Sequence, residues 1–290
     1  MINFIYCPEC EHEVTFSHSA DIAKGQTLRC EKCGTDFNIF TVYKSFYEDI
    51  PIAKKIADAM IALANKKYEV RGNADDVGII NDFFEKMNFD RLYDQVISDL
   101  IIYANAFVEK DSEQVTIVRH DPATSILNTE LATRRNLREE VVYLTTKEGK
   151  TIPSGNLTHS AVNTFEPPFG ESPYGQWFND WYILKLSPNA LINASILRNQ
   201  GYVARRPEEL SELKKAAEKR VILGAGLDPA TFDETLPPNP YTRDLPLIDA
   251  EHIQTQIVSL VERELFPFIL KHELDHRSNN LRFIIEGYEE

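Results

Sequence analysis

The stretch NLTHSAVNTFEPPFGESPYGQWFNDWYILKLSPNALINASILRN, residues 156–199, decides how the rest of the chain is read. It opens with an extended pattern and turns through Pro167, Pro168 and Gly170. A helix start follows: Ser172 can accept a backbone N–H as N-cap, and Pro173 suits the first helical position, where no amide donor is needed. Ser187-Pro188 repeats the signal. Because Pro188 disfavours helix at Ser187 and lacks a backbone donor, the stretch predicts two helices, about 173–186 and 188–199, meeting at a kink. The first, with Trp177, Phe178, Trp181, Tyr182, Ile183, Leu184 and Leu186, is apolar on nearly every side. Such a helix is covered all round, by its own domain or by neighbouring subunits. In so acidic a chain we expect subunits, which makes Trp177, Phe178, Trp181 and Tyr182 the expected oligomer interface.

Upstream, a helical pattern begins after Phe40, and Ile52, Ile56, Ala59, Met60 and Leu63 recur at helical spacing behind Pro51. A short helix is expected over 77–87. Phe89, Leu92, Tyr93, Val96, Ile97, Leu100 and Ile101 then form one continuous apolar face, with Asn88 as candidate cap. Residues 106–110 and 114–119 alternate and are rich in Val, Ile and Thr, which predicts a hairpin; further strands are expected at 125–129 and 140–146. Downstream, Arg205-Arg206-Pro207 opens a solvated helix with acidic residues first and basic residues last, matching the helix dipole. The proline-rich residues 227–248 read as a long loop, followed by a late helix over 249–276 bent near Pro267 and a last strand at 281–285. The fold class is α+β: a small N-terminal zinc ribbon over 1–41, then a core over 42–290 of helices and small antiparallel sheets with long helices.

The ribbon rests on the cysteines. All four lie within the first 33 residues, as Cys7-x2-Cys10 and Cys30-x2-Cys33. Each pair fits a tight turn that aims two sulfurs at one tetrahedral ion, and the spacer supplies strands. Paired disulfides would need an oxidising compartment, and a thioredoxin-like redox pair would need a βαβ context. Four thiolates leave no open coordination position, so the expected role is one structural Zn2+ per chain at Cys7, Cys10, Cys30 and Cys33. His12 and His18 read as solvated spacer residues. At 290 residues with 43% hydrophobic and 26% charged content the chain can bury a sizeable core, and its net charge is −14. A surface this acidic repels phosphate, which argues against gripping nucleic acid by counterion release and against adhesion to membranes. No stretch approaches the apolar length of a membrane span, and the N-terminus carries no export signal, so a soluble, unexported protein is expected.

His272-Glu273-Leu274-Asp275-His276 matches H-E-x-x-H, in which two histidines one turn apart bind zinc and the glutamate acts as general base. It also looks like the corresponding element of peptide deformylases. Such an enzyme needs a further ligand, and the cysteines are already taken by the ribbon. The plainer reading continues the stripe of Leu265 and Ile269 to a helix C-terminus, where imidazoles suit the dipole. A zinc-dependent hydrolase and a ribbon-bearing adaptor or regulatory protein stand as alternatives.

The order of segments resembles tailed-bacteriophage portal proteins. FDRLYDQVISDLIIYANAFVEK (Phe89 to Lys110) is similar to the portal pattern of an amphipathic helix, an asparagine-containing turn and an apolar strand ending in a charged pair. HSAVNTFEPPFGESPYG (His159 to Gly175) is similar to a histidine-bearing strand leading through glycine to G-x-S-P and a helix, and IQTQIVSLVERELFPFIL (Ile253 to Leu270) to the late portal helix. The resemblance covers about residues 42–200 and, more loosely, 249–287. The ribbon is not part of the usual portal pattern, and residues 201–248 match poorly. The resemblance implies stem-like and clip-like helices within about 172–225. It also implies a ring homo-oligomer of about twelve subunits at one capsid vertex. Viral DNA would be packaged and ejected through that ring, with terminase, capsid and head–tail adaptor proteins as partners. It places the protein in the virion, and in the host cytoplasm during assembly, with a structural rather than an enzymatic role. No nucleic-acid-binding residue is identified.

Overall fold

The computed structural model describes residues 4–15, 27–131, 139–162, 170, 172–176, 179–186, 188, 207–224, 245–274 and 280–287. All but residue 188 of the expected helix over 188–199, together with Trp177, Phe178, His18, His276 and most of the expected loop over 227–248, lies outside these residues.

The chain begins with two small antiparallel hairpins. Strand β1 (Phe4–Tyr6) pairs with β2 (Glu13–Thr15), and β3 (Leu28–Arg29) with β4 (Asp36–Phe37). Helix α1 (Ile39–Asp49) follows directly, because Asn38 closes a capping box: its side chain accepts from Thr41 N at 2.9 Å, and its own N–H donates to Thr41 Oγ1 at 3.4 Å. Pro51 cannot continue α1 but fits a first helical position, so Ile50 ends one helix and α2 (Pro51–Ala64) starts at once. Strand β5 (Tyr68–Arg71) precedes α3 (Ala74–Met87), capped by Asn73 with Asp75 and Asp76 in its first turn. Helix α4 (Phe89–Ile102) buries all seven residues of its expected apolar face. Asn88 differs from expectation. Its side chain makes no cap bond, and its left-handed backbone (φ 55°) turns α3 into α4, a conformation that asparagine tolerates better than most residues.

Two three-stranded antiparallel sheets follow. One has the order β11 (Leu157–Ala161), β6 (Asn105–Asp111), β7 (Thr116–His120); the other has β10 (Thr151–Pro153), β9 (Glu139–Thr145), β8 (Ile126–Leu131). Helix α5 (Pro173–Gln176) and helix α6 (179–186) occupy the region of the expected apolar helix, with Ser172 Oγ accepting from Tyr174 N at 3.2 Å. Helix α7 spans Pro207–Gly224 and α8 Leu245–Leu260, so the late helix starts before the expected Asp249; Pro246 is accommodated in its first turn. The expected bend at Pro267 is a single π-helical turn, Val261–Leu265, followed by α9 (Phe266–Leu274). Proline at 267 cannot donate an α-helical bond, and the strain is taken up one residue earlier, where Phe266 N donates to Val261 O. The turn also aims Glu262 at the last strand, β12 (Arg282–Ile285): its carboxylate accepts from Phe283 N at 2.8 Å. Strand β12 pairs with β5, a long-range closure invisible in the local pattern of Tyr68–Arg71. Its Phe283 joins Tyr68, Phe84, Phe89, Tyr93 and Phe266 in one aromatic cluster.

The junction that sets this architecture lies at the C-terminus of α4, whose last carbonyls have no partners inside the helix. Ser172 Oγ donates to Ile102 O at 2.6 Å, Asn105 Nδ2 to Tyr103 O at 2.8 Å, and Val162 N to Ala104 O at 3.0 Å. Asn105 also binds Gly170 twice, donating to its carbonyl at 3.2 Å and accepting from its N–H at 3.0 Å. With Nδ2 committed to carbonyls, Oδ1 is an acceptor, so His159 Nε2, 2.9 Å away, carries the proton. Burial lowers the His159 pKa to about 4 and keeps the ring neutral. On the other face of α4, the buried Asp99 accepts from Arg119 of β7 through both carboxylate oxygens. Burial pushes the Asp99 carboxyl up, the paired guanidinium pulls it back, and Arg119 is held charged.

A Cβ on Gly170 would sit 2.0 Å from Ala104 O and 2.5 Å from Val162 O, both backbone atoms of the junction. Gly170→Ala is therefore expected to destabilise the chain by about 3 kcal/mol in urea unfolding. Gly155→Ala, where a Cβ meets nothing within 4 Å, should change little. Equal effects would sink this account of the junction.

Candidate metal centre and its seat

The two cysteine pairs sit on matching turns. In the first, Cys7 N donates to His12 O at 2.8 Å and Glu11 N to Cys7 O at 2.9 Å; in the second, Cys30 N donates to Thr35 O at 2.9 Å and Gly34 N to Cys30 O at 2.8 Å. The residue after each second cysteine is left-handed, Glu11 at φ 56° and Gly34 at φ 76°. Glycine adopts this freely and glutamate at a cost, so the turn geometry, not residue preference, sets the first knuckle. Both turns fold back over their own cysteine, which brings the thiols to one side.

The four thiols converge, with all ligand atoms within 4.8 Å of one another. Cys7 Sγ lies 3.6 Å from Cys33 Sγ, and Cys10 Sγ 3.5 Å from Cys30 Sγ. The sulfur–sulfur edge of a tetrahedral site with metal–sulfur bonds of about 2.3 Å is about 3.8 Å, so the constellation fits a four-coordinate cation with little movement. Among the described residues this is the one group of three or more His, Cys, Asp or Glu placed to hold a metal; His12 is not in it. Burial pushes Cys7 up to about 12 and raises Cys10, whereas the Thr35 hydroxyl, 3.2 Å from the Cys33 sulfur, lowers Cys33 to about 6. Without a cation Cys7 and Cys10 hold their protons, and a bound cation would have to displace them.

The seat of this module is α6. Tyr6 of β1, one residue before Cys7, donates its N–H to Tyr182 Oη at 2.8 Å, and Tyr182 Oη donates back to Tyr6 O at 3.2 Å. The two rings meet edge to face at 4.7 Å, and Tyr182 meets Phe46 of α1 at 5.0 Å. Trp181 packs on Tyr174, whose hydroxyl donates to Ala53 O, and Lys185 pairs with Asp49 and Ser45 of α1. Trp181 is 1% exposed and Tyr182 6%. These two residues are thus buried within their own chain, Trp181 against Tyr174 of α5 and Tyr182 against Phe46 of α1 and Tyr6 of the ribbon, whereas a subunit interface was expected of them. Ile5, Cys7, Val14 and Cys30 belong to the same continuous core as α1 to α4. Tyr6 and Tyr182 stand 176 positions apart, and no local pattern marks them as partners.

Of the H-E-x-x-H motif, His276 lies outside the described residues. His272 is exposed near the end of α9 with its ring 4.8 Å from Phe268, and no described carboxylate or histidine joins it in a metal-sized cluster.

Two of the four thiols have raised pKa values, so cation uptake releases at least two protons. Metal affinity, measured by competition with a chromophoric chelator, should therefore fall by at least about a hundredfold per pH unit below neutrality. An affinity independent of pH would exclude thiolate coordination.

No protein-family model and no curated protein matches the sequence. The fold, by contrast, has solved counterparts. A chain of the virion of the native gene transfer agent (GTA) particle is similar with a TM-score of 0.51 at 10% identity, over 90% of this chain and 86% of that one. A chain from the neck of the empty GTA particle, computed with C6 symmetry, is similar with a TM-score of 0.54 at 10% identity, over 90% and 86%. One from the neck of the native GTA particle, computed with C12 symmetry, reaches 0.54 at 10% identity, over 92% and 88%. Across about nine-tenths of its length, the chain is therefore similar in fold to a chain found in the necks of GTA particles.

Proposed function

We propose that the protein is a portal-like structural component that forms a ring at a capsid vertex and lets DNA pass through it. The observation that carries this reading is the end-to-end likeness to chains from particle necks computed with C12 and C6 symmetry. It agrees with the sequence resemblance, and two of the three segments that carry that resemblance meet physically: Asn105 from one binds His159 and Gly170 from the other. A ring of about twelve subunits follows the C12 case. With a net charge of −14, a tunnel through such a ring would repel phosphate and let DNA slide rather than adhere. The expected partners are viral DNA, a terminase, capsid protein and a head–tail adaptor. The expected locations are the virion and, during assembly, the host cytoplasm.

The ribbon over residues 1–41 carries one structural Zn2+ at Cys7, Cys10, Cys30 and Cys33. Four thiolates suit zinc, and with no open position the ion holds the fold and performs no hydrolysis. The core over 42–290 forms the ring. Among the described residues the exposed large hydrophobics are Val118 and Leu213, so we expect the ring contacts to be largely polar, with Trp177 and Phe178 as candidate apolar anchors.

Native mass and zinc content measured on one sample test the reading. The expected result is a species of about twelve chains with one zinc each. A monomer or dimer under conditions that assemble capsids, or two metals per chain, would overturn it.

A further inference from the structure

The metal centre and α6 meet at one hydroxyl. In the β1–β2 ladder, Cys7 N turns inward to His12 O, and the N–H and C=O of Tyr6 face the opposite way. A single phenol oxygen satisfies both, acting as acceptor to one and donor to the other. The ribbon side of this contact has little else to hold it. The strands of the ribbon are two or three residues long and bury few side chains besides the cysteines, chiefly Ile5, Val14 and Phe37, so their order depends in large part on what the sulfurs hold.

We propose that the metal centre acts as a clasp: a thiophilic divalent cation bound by the four cysteines fixes Tyr6 against Tyr182 and thereby orders α6. The inference rests on the zinc reading above but not on ring formation. Binding free energies are reciprocal, so if the cation orders α6 through Tyr182, the Tyr182 hydroxyl must in turn strengthen cation binding. The hydroxyl serves two hydrogen bonds, and its loss should weaken zinc affinity by about tenfold. Lys185 pairs with Asp49 of α1 and Trp181 packs on Tyr174 of α5, contacts that confine the effect to α6.

Hydrogen exchange on the full chain, with and without zinc and with bound metal counted on the same sample, tests the clasp. Amides of residues 179–186 should lose about tenfold in protection when zinc is removed, while those of α4 keep theirs. Tyr182→Phe should still bind one zinc per chain, about tenfold more weakly in chelator competition, and its 179–186 protection should no longer respond to zinc. Tyr47→Phe, whose hydroxyl donates to Asp58 instead, should match the natural chain. Equal protection at 179–186 in the two states would overturn the clasp while leaving the zinc site standing. Exchange rising equally in α4 would also overturn it, by making zinc a requirement of the entire fold. A chain that binds no zinc would remove both readings.

Discussion

The described structure turns on the hydrogen bonds that finish α4. A helix end buried against other elements leaves carbonyls that must find donors, at a cost of about 1–3 kcal/mol for each one left unmade. Here the donors come from Ser172, Asn105 and Val162, and Asn105 ties the same point to Gly170 and His159. Helix α4, strand β6, strand β11 and the start of α5 therefore share one small polar knot in an apolar setting. Such a knot is worth little more than its surroundings when complete and is expensive when broken, which makes it a device for specifying one arrangement rather than for raising stability.

The N-terminal ribbon extends this core without enlarging it much. Its buried residues Ile5, Val14, Cys7 and Cys30 run into the cluster formed by α1 to α4, so the ribbon is seated on the body and is not a free arm. Its hairpins are too short to supply a core, and the convergence of four thiols explains how so small a module can hold its shape. The same seating accounts for the apolar character of α6. Trp181, Tyr182 and Leu184 are buried, whereas Asn179 is exposed and Asp180 pairs with Arg220, so these polar residues gather on the side away from the core.

An identity of 10% over nine-tenths of the chain, at TM-scores just above one half, means that few positions are held by chemistry and many by pattern alone. Cores accept wide substitution when volume and periodicity are kept. The positions under tighter physical constraint here are backbone ones: Gly170 beneath two carbonyls, Asn88 in its left-handed turn, and Pro51 at a helix start.

The α+β class, the apolar face of α4, the β6–β7 hairpin, the Ser172-Pro173 helix start and the convergence of the four cysteines were legible in the sequence, because each depends on spacing or on residues a few positions apart. The pairing of β5 with β12, the left-handed role of Asn88 and the π turn that relieves Pro267 were not, since each answers to contacts or strain that neighbours in sequence do not encode. For Trp181 and Tyr182 the sequence determined burial but not by what. An apolar helix looks the same whether a second subunit or its own chain covers it. Only the tertiary structure, by bringing Tyr6 and Phe46 onto Tyr182, decided that the cover is internal.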